Sequence, residues 1–98
     1  MQYQLIIEPR AETDGRKAYW VYEDKVPGLG DQFLLCVDAA FERAKRTPKL
    51  YPPIHGDLRR VLVRRFPFAA FFIISARNVH ILALLPCAID PEVWLSLR

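Results

Sequence analysis

The chain is 98 residues long, enough for one hydrophobic core but too short for two, so we expect a single domain over residues 1–98. Hydrophobic residues make up 52% of the chain and aromatic residues 12%, which excludes a disordered segment. The two cysteines, Cys36 and Cys87, are too few and too far apart for a disulfide scaffold or a zinc site. We therefore expect no metal and no cofactor.

The beginning of the chain predicts neither export nor membrane insertion. The segment MQYQLIIEP (1–9) lacks a basic start, and its apolar run is too short for a signal peptide. The apolar segment FAAFFIIS (68–75) is far shorter than the roughly 20 apolar residues that a membrane-spanning helix needs. These features favour a cytoplasmic protein that has no membrane partner.

The first two predicted elements are a short strand and a helix. Residues 3–7 are rich in β-forming residues that alternate along the chain, which is typical of a strand. From Ala11 to Lys25 the apolar residues recur at helical spacing. Gly15 lies on the apolar stripe of this helix, where a glycine costs about 1 kcal/mol relative to alanine. The segment PGLGD (27–31) then interrupts the pattern and predicts a tight turn.

A second, more strongly amphipathic helix is predicted from Asp31 to Arg46. Its apolar stripe consists of Phe33, Val37, Phe41 and Ala44, widened by Leu34 and Ala40. The last turn carries Arg43, Lys45 and Arg46, which suits the negative end of the helix dipole. Two helices joined by a tight turn form an αα-hairpin.

Three strands and a helical turn are predicted after a loop over residues 47–57. The strand-like runs cover residues 58–66, 68–75 and 79–85, and the short turn between the last two predicts an antiparallel hairpin. Both of those runs are apolar on both faces, as in central strands of a sheet that is covered on two sides. Asp90 and Pro91 predict the N-cap and the first residue of a short terminal helical turn.

The order of these elements, β-α-α-β-β-β, indicates an α+β fold. We expect a helical hairpin that packs on a mainly antiparallel sheet of about four strands.

Positive charge is concentrated in the middle of the chain, although the net charge is only +3. The segment RRVLVRRF (59–66) alone contains four arginines, directly before a very apolar run. Such a cluster suits an anionic partner, either nucleic acid or an acidic protein segment. It is equally consistent with arginine stems that cover the sheet while their charged ends reach water.

Strand alternation predicts how these arginines are divided. Arg60 and Arg64 would share one face with Leu62, and Arg59 and Arg65 would share the other. At most two arginines therefore lie on the same face of this strand. Either pair would be extended by basic residues from the end of the second helix, namely Arg43, Arg46 or Lys49.

Six segments, in this order and spacing, carry a family resemblance: AETD (11–14), YWVYE (19–23), PGLGDQF (27–33), RRVLVRRFPFAAFF (59–72), VHILALL (79–85) and DPEVW (90–94). Over nearly its whole length the chain resembles the RelE/ParE superfamily, the toxins of bacterial toxin–antitoxin and plasmid-stabilisation modules. The resemblance is closer to the ParE and plasmid-stabilisation branch than to RelE. The chain departs from the family pattern after the last strand, where Pro86 takes the place of a usual histidine and residues 87–89 replace a basic stretch.

The resemblance implies a toxin that a cognate antitoxin neutralises, as a homodimer or as a hetero-oligomer with the antitoxin. Antitoxins of this family usually have an acidic or amphipathic segment that folds on binding. The ParE branch inhibits DNA gyrase by binding it, whereas the RelE branch cleaves mRNA in the ribosome. A third alternative is a degenerate, non-toxic member that only binds its partner.

Cleavage of the RelE type needs a general base near the RNA 2′-hydroxyl, cations around the phosphate and an acid for the leaving oxygen. Arginines supply the cations. His80, however, lies within an apolar strand, His55 lies in a turn, and the tail VWLSLR (93–98) contains no histidine, tyrosine or lysine. We therefore assign no catalytic residue and favour a ParE-like toxin that binds gyrase. The sequence alone leaves open whether the chain is an enzyme.

The residues predicted to contact the target or the antitoxin are Arg59, Arg60, Arg64, Arg65, Arg43, Arg46 and Trp94. Tyr19 and Trp20 are further apolar candidates for such a contact.

Overall fold

The computed structural model describes residues 2–98, and its elements follow the predicted order. They are the strand β1 (Gln4–Ile7), the helices α1 (Pro9–Lys25) and α2 (Leu29–Arg46), a single 3₁₀ turn (Pro48–Leu50), the strands β2 (Arg59–Leu62), β3 (Phe68–Ser75) and β4 (Asn78–Pro86), and the helix α3 (Pro91–Leu95). The predicted α+β fold, with the order β-α-α-β-β-β and a short C-terminal helix, is confirmed. No helix within residues 2–98 combines the length and the apolar character that a membrane crossing would require.

The four strands form one mixed sheet in the order β1-β4-β3-β2. Strand β1 pairs with β4 in parallel, whereas β4 with β3 and β3 with β2 are antiparallel pairs. The two strands that are apolar on both faces, β3 and β4, lie at the centre, and β1 and β2 form the edges. This arrangement confirms the mainly antiparallel sheet and the predicted hairpin.

A β-bulge in β4 decides which of its side chains face the helices. Phe71 lies opposite Ala83 and Phe72 lies opposite Ile81, so Leu82 is the additional residue. Ile81 faces the helices before the bulge, and Leu84 faces them after it. Without the bulge, the regular alternation of the strand would direct Leu84 to the opposite face.

The helical hairpin packs on one face of the sheet and forms the main core. The buried side chains of α2 are the predicted stripe Phe33, Val37, Ala40, Phe41 and Ala44. They join Phe72, Val79 and Ile81 of the sheet in one apolar cluster. Leu34, predicted to widen the stripe, is instead 38% exposed, because it lies on the flank of α2 that borders a surface cavity.

Helix α3 covers part of the opposite sheet face. Trp94 stacks on Phe71 of β3, with ring centroids 5.8 Å apart and an angle of 19° between the rings. The Asp90 side chain accepts a hydrogen bond of 3.0 Å from the Glu92 N–H, so the predicted N-cap is present. The double coverage of the sheet explains why β3 and β4 are apolar on both faces.

The tight turn between α1 and α2 depends on Glu23 and on two glycines. Glu23 accepts hydrogen bonds from the N–H groups of Gly28 and Gly30, at 2.9 and 3.0 Å. Its carboxylate therefore lies at the positive N-terminal end of α2. Gly28 has a φ of 91°, a conformation that favours glycine. A Cβ at Gly30 would lie 2.8 Å from the ring and the carbonyl oxygen of Tyr19, so only glycine allows this close approach of the helices.

Some boundaries differ from the prediction. Strand β2 ends at Leu62, so the predicted strand over residues 63–66 was wrong. Arg65 adopts a left-handed φ of 72°, which a continuing strand does not allow. Helix α1 begins earlier than predicted, at Pro9, because proline suits the first helical position. The helix is continuous through Gly15 up to Lys25.

Candidate binding surfaces

A groove of about 490 Å³ runs along the edge of β2, and we call it the arginine groove. Its lining residues are Arg43, Tyr51, Arg60, Val61, Leu62 and Arg64. None of these six is acidic. The side chains of Arg60 and Arg64 are exposed, and Leu62 between them is 56% exposed. The groove therefore offers cations on both sides of an exposed apolar side chain, as strand alternation predicted for this set.

Arg43 reaches the arginine groove from the last turn of α2. Its Nη2 donates a hydrogen bond of 2.6 Å to the carbonyl oxygen of Leu62. The next residue, Val63, hydrogen-bonds to Phe68, and successive residues of a strand direct their backbone groups to opposite sides, so the Leu62 carbonyl points away from β3. Arg43 thereby joins the end of α2 to the edge of the sheet.

Arg59 and Arg65 were predicted to share the other face of the strand, and the structure separates them. Arg59 Nη1 donates to the carbonyl oxygen of Tyr51 at 2.6 Å. Arg65 Nη2 donates to Gln32 Oε1 at 3.2 Å, toward α2. The strand-like alternation of side chains between two faces does not extend to Arg65, because this residue lies in the bend that follows β2. Neither side chain lines the arginine groove.

Arg46 and Trp94 also lie away from this groove. Arg46 lines two smaller cavities beside Tyr3, of about 220 and 280 Å³, and Lys49 and Leu50 line the second of them. Trp94 packs its ring against the second face of the sheet. The seven residues predicted from the sequence therefore do not form one surface. Only Arg43, Arg60 and Arg64 come together.

The two histidines are not part of the arginine groove. His80 Nδ1 lies 3.1 Å from Glu8 Oε1, at the junction of β1 and α1. His55 forms an isolated β-bridge with Leu58 in the loop that precedes β2. Residues 2–98 also contain no cluster of three or more histidine, cysteine, aspartate or glutamate side chains that could hold a metal ion.

A second cavity lies between the two long helices, and the sequence analysis did not define it. This helical groove has a volume of about 500 Å³, and Gly15, Phe41 and Leu84 are among the residues that line it. Trp20 and Leu34, which also line it, are 55% and 38% exposed. The sequence feature that pointed to this groove was Gly15 on the apolar stripe of α1. A glycine leaves space there, because a side chain at this position would extend toward Leu84.

The charged residues that line the helical groove are mainly acidic. They are Glu12, Asp31 and Asp38, with Arg16 as the one cation among the lining residues. Burial raises the pKa of the Tyr19 phenol, and the nearby carboxylates of Asp31 and Glu23 raise it further. The helical groove and the arginine groove therefore carry opposite charge.

A surface ion pair fixes the loop before β2 to the end of the chain. Arg98 Nε and Nη2 donate to the two carboxylate oxygens of Asp57, at 3.0 and 2.8 Å. These hydrogen bonds from Arg98 lower the pKa of Asp57. The neighbouring residues Leu58 and Leu97 both belong to the apolar cluster that contains Trp94 of α3.

Comparison with solved structures reveals close similarity of fold. A chain of the chromosomal ParDE TA system from P. aeruginosa superimposes with a TM-score of 0.78 at 17% sequence identity, over 87% of this chain and 96% of that one. A chain of the toxin–antitoxin complex RelBE2 from Mycobacterium tuberculosis gives a TM-score of 0.58 at 20% identity, over 88% and 99%. No protein-family model and no curated protein sequence matches the chain.

Proposed function

We propose that this chain, which has the fold of the RelE/ParE superfamily, is the toxin of a type II toxin–antitoxin module. The observation that carries the proposal is the likeness in fold to the ParDE system, over nearly the full length of both chains. The likeness to the RelBE2 complex supports the same class of protein. Such a module would stabilise the plasmid or chromosomal region that encodes it.

A cognate antitoxin would cover the helical groove. The groove has an apolar floor and two exposed apolar side chains, Trp20 and Leu34, at its border. An antitoxin would cover only the parts of Trp20 and Leu34 that are still exposed, 55% and 38%, so each contributes part of the roughly 1.5–3 kcal/mol for complete burial of a large apolar side chain. A groove of this kind accommodates an amphipathic helix.

We further propose that the toxin acts by binding a protein target, DNA gyrase. The arginine groove supports this view, because it combines three cations with the exposed side chain of Leu62. Contact surfaces of protein complexes are enriched in arginine. The two histidines, which would be the natural general acid and base, lie outside the groove.

Ribosome-dependent mRNA cleavage is the alternative, and Tyr51 is the observation that favours it. Its side chain lines the same groove as the three arginines, where a phosphate could be held. A non-toxic protein that only binds its partner is the second alternative.

Controlled expression with and without the neighbouring small gene tests these functions. We expect growth arrest without the partner gene, recovery with it, and loss of plasmid supercoiling during arrest. Prompt mRNA cleavage within codons, with supercoiling intact, would favour the nuclease. Normal growth in the absence of the partner would leave only the non-toxic protein.

Substitution of Arg60 and Arg64 by alanine tests the role of the arginine groove. Both side chains are exposed, so the double variant should fold normally and lose toxicity. Arg77→Ala is the matched control, because this arginine is exposed in the β3–β4 turn at the far end of the sheet. Unchanged toxicity and unchanged antitoxin affinity of the double variant would show that these arginines bind neither the target nor the antitoxin. Their side chains would then only cover the sheet.

A further inference from the structure

Two separate surfaces of this chain carry opposite charge. The residues that line the arginine groove include three arginines and no carboxylate. Three exposed carboxylates line the helical groove, those of Glu12, Asp31 and Asp38, and Arg16 is the one cation among its lining residues. None of these charged side chains belongs to an ion pair within residues 2–98. Both grooves therefore keep their charge for a contact with another molecule.

Each groove also exposes apolar side chains among its charges. Leu62 follows Arg60 and precedes Arg64 in the arginine groove, and it is 56% exposed. Trp20 and Leu34 border the helical groove and are 55% and 38% exposed. Protein interfaces commonly combine an apolar centre with a polar rim. The two grooves therefore match each other both in charge and in apolar character.

We propose that copies of this chain bind each other through these grooves, so that the arginine groove of one copy docks on the helical groove of the next. Leu62 would contact the apolar side chains of the helical groove. Arg60 and Arg64 would pair with its carboxylates. The inference goes beyond the proposed function, because it needs neither an antitoxin nor a target. In the free protein, such assembly would cover both of the surfaces that the proposed function uses.

The position of the grooves on α2 makes this a contact between molecules. Asp38 lines the helical groove, and Arg43 lines the arginine groove five residues further along the same helix. An α-helix turns by about 100° per residue, so these two side chains point about 140° apart around its axis. One molecule therefore cannot join its own two grooves. A contact between two different surfaces repeats from copy to copy and builds a ring or a filament rather than a two-fold dimer.

A second copy is the partner that satisfies both grooves at once. A nucleic acid or an acidic peptide would neutralise the arginine groove alone, and a basic helix would neutralise the helical groove alone. The net charge of +3 on each copy opposes the association. Ion pairs between exposed side chains are individually weak and are screened by salt. We therefore expect a weak, reversible assembly that forms at low salt and dissociates at high salt.

Sedimentation velocity of the purified chain at low salt measures this assembly. We expect the average mass to rise above the monomer value of 11.4 kDa as the protein concentration increases. The mass should return to the monomer value when salt is added, because salt screens the charges of the two grooves. The protein is treated with nuclease beforehand, which removes any nucleic acid that would join two arginine grooves.

An exchange of charge between two variants tests the interface itself. One double variant, Arg60→Glu with Arg64→Glu, reverses the arginine groove. The other, Asp31→Arg with Asp38→Arg, reverses the helical groove. Each variant alone brings like charges together at the contact, so its dissociation constant should rise about tenfold or more. An equimolar mixture of the two brings opposite charges together again at both kinds of contact, and the assembly should return.

Folding of the variants is checked by circular dichroism. All four positions are exposed, so both double variants should fold. The single variants Arg60→Glu and Asp38→Arg, with smaller expected effects, replace a double variant that does not. Lys17→Glu with Arg77→Glu is the control for the arginine groove, because it makes the same change in net charge at exposed positions outside both grooves. Its assembly should change little.

Several results would overturn the proposal. The chain would remain a monomer at low salt, the reversed variants would assemble like the wild type, or the mixture of two folded variants would stay apart. An assembly that disappears on nuclease treatment would also overturn it, since a nucleic acid would then join the copies. Toxicity and neutralisation play no part in these measurements. A chain that stays monomeric can still be a toxin, and a non-toxic chain can still assemble.

Discussion

The carboxylate of Asp14 in α1 accepts a hydrogen bond of 3.0 Å from the backbone N–H of Leu84 in β4. Strand β1 ends opposite Ile81, so β4 has no neighbouring strand on this side at Leu84. The helix side chain therefore replaces a strand partner. Leu84 is only 2% exposed, and its N–H would otherwise be buried without an acceptor.

We expect Asp14→Ala to lower the free energy of unfolding by about 1–3 kcal/mol, because the Leu84 N–H loses its acceptor. Asp14→Asn keeps an acceptor oxygen and loses only the 3.6 Å ion pair with Arg10, so it should cost about 1 kcal/mol at most. Urea unfolding, monitored by circular dichroism, measures the free energy of unfolding of both variants. Asp24→Ala, at an exposed site of the same helix, is the control. Equal stability of the variants at positions 14 and 24 would show that the hydrogen bond contributes nothing.

Substitution of two buried glycines, Gly30 and Gly15, by alanine should change the free energy of unfolding in opposite directions. Gly30→Ala places a Cβ 2.8 Å from the ring and the carbonyl oxygen of Tyr19, so the two helices must move apart. Such overpacking should lower the free energy of unfolding by about 1–3 kcal/mol. Gly15→Ala meets only Leu84, at an ordinary 3.7 Å, and removes a glycine from the interior of α1.

For Gly15→Ala we therefore expect a gain of up to about 1 kcal/mol from helix propensity. Thermal and urea unfolding of the two variants, measured side by side, provide the comparison. A stabilising Gly30→Ala or a strongly destabilising Gly15→Ala would contradict the packing described for the hairpin.

Several features of the fold could be predicted from the sequence because they depend on local pattern. The helical period of Phe33, Val37 and Phe41 determined the buried face of α2, since a helix with one apolar stripe must bury it. The apolar runs of β3 and β4 likewise predicted their central position in the sheet. These predictions required no knowledge of which elements meet in space.

The features that were missed depend on tertiary contacts. Arg65 has a positive φ that no sequence rule assigns to arginine, and this bend shortens β2 and divides the arginines. The bulge at Leu82 brings Leu84 to the floor of the helical groove. The bond from Arg43 to Leu62 joins a side chain to a backbone group nineteen positions away. The composition of both grooves therefore became visible only in the structure.

The Asp57–Arg98 pair predicts a pH-dependent part of the stability. Hydrogen bonds from Arg98 lower the pKa of Asp57 below its ordinary 3.8. A carboxyl group with a lowered pKa in the folded state stabilises the protein above the unfolded pKa, and this contribution is lost as the pH falls through the folded pKa. Wild type should therefore be more stable than Asp57→Asn at neutral pH, and the difference should shrink as the pH falls below 3.8 and vanish once the pH is below the lowered pKa of folded Asp57.

Urea unfolding of both proteins between neutral and strongly acidic pH, at low salt, measures this difference. Asp24→Asn is a suitable control, because Asp24 is exposed and takes part in none of the ion pairs among residues 2–98. A difference that persists unchanged in acid would have to come from a contact other than the ion pair.

Trp20 and Val21 offer a matched pair for testing the helical groove as the antitoxin surface. The two neighbours in α1 are 55% and 54% exposed, but only Trp20 lines the groove. Buried aromatic residues supply much of the affinity of protein interfaces, so Trp20→Ala should weaken antitoxin binding by about 2 kcal/mol or more, roughly thirtyfold. Val21→Ala should leave the affinity nearly unchanged. Because both side chains are exposed in the free protein, neither substitution should greatly change its free energy of unfolding. Calorimetric titration with purified antitoxin measures the affinities, and equal affinities of the two variants would place the antitoxin on another surface.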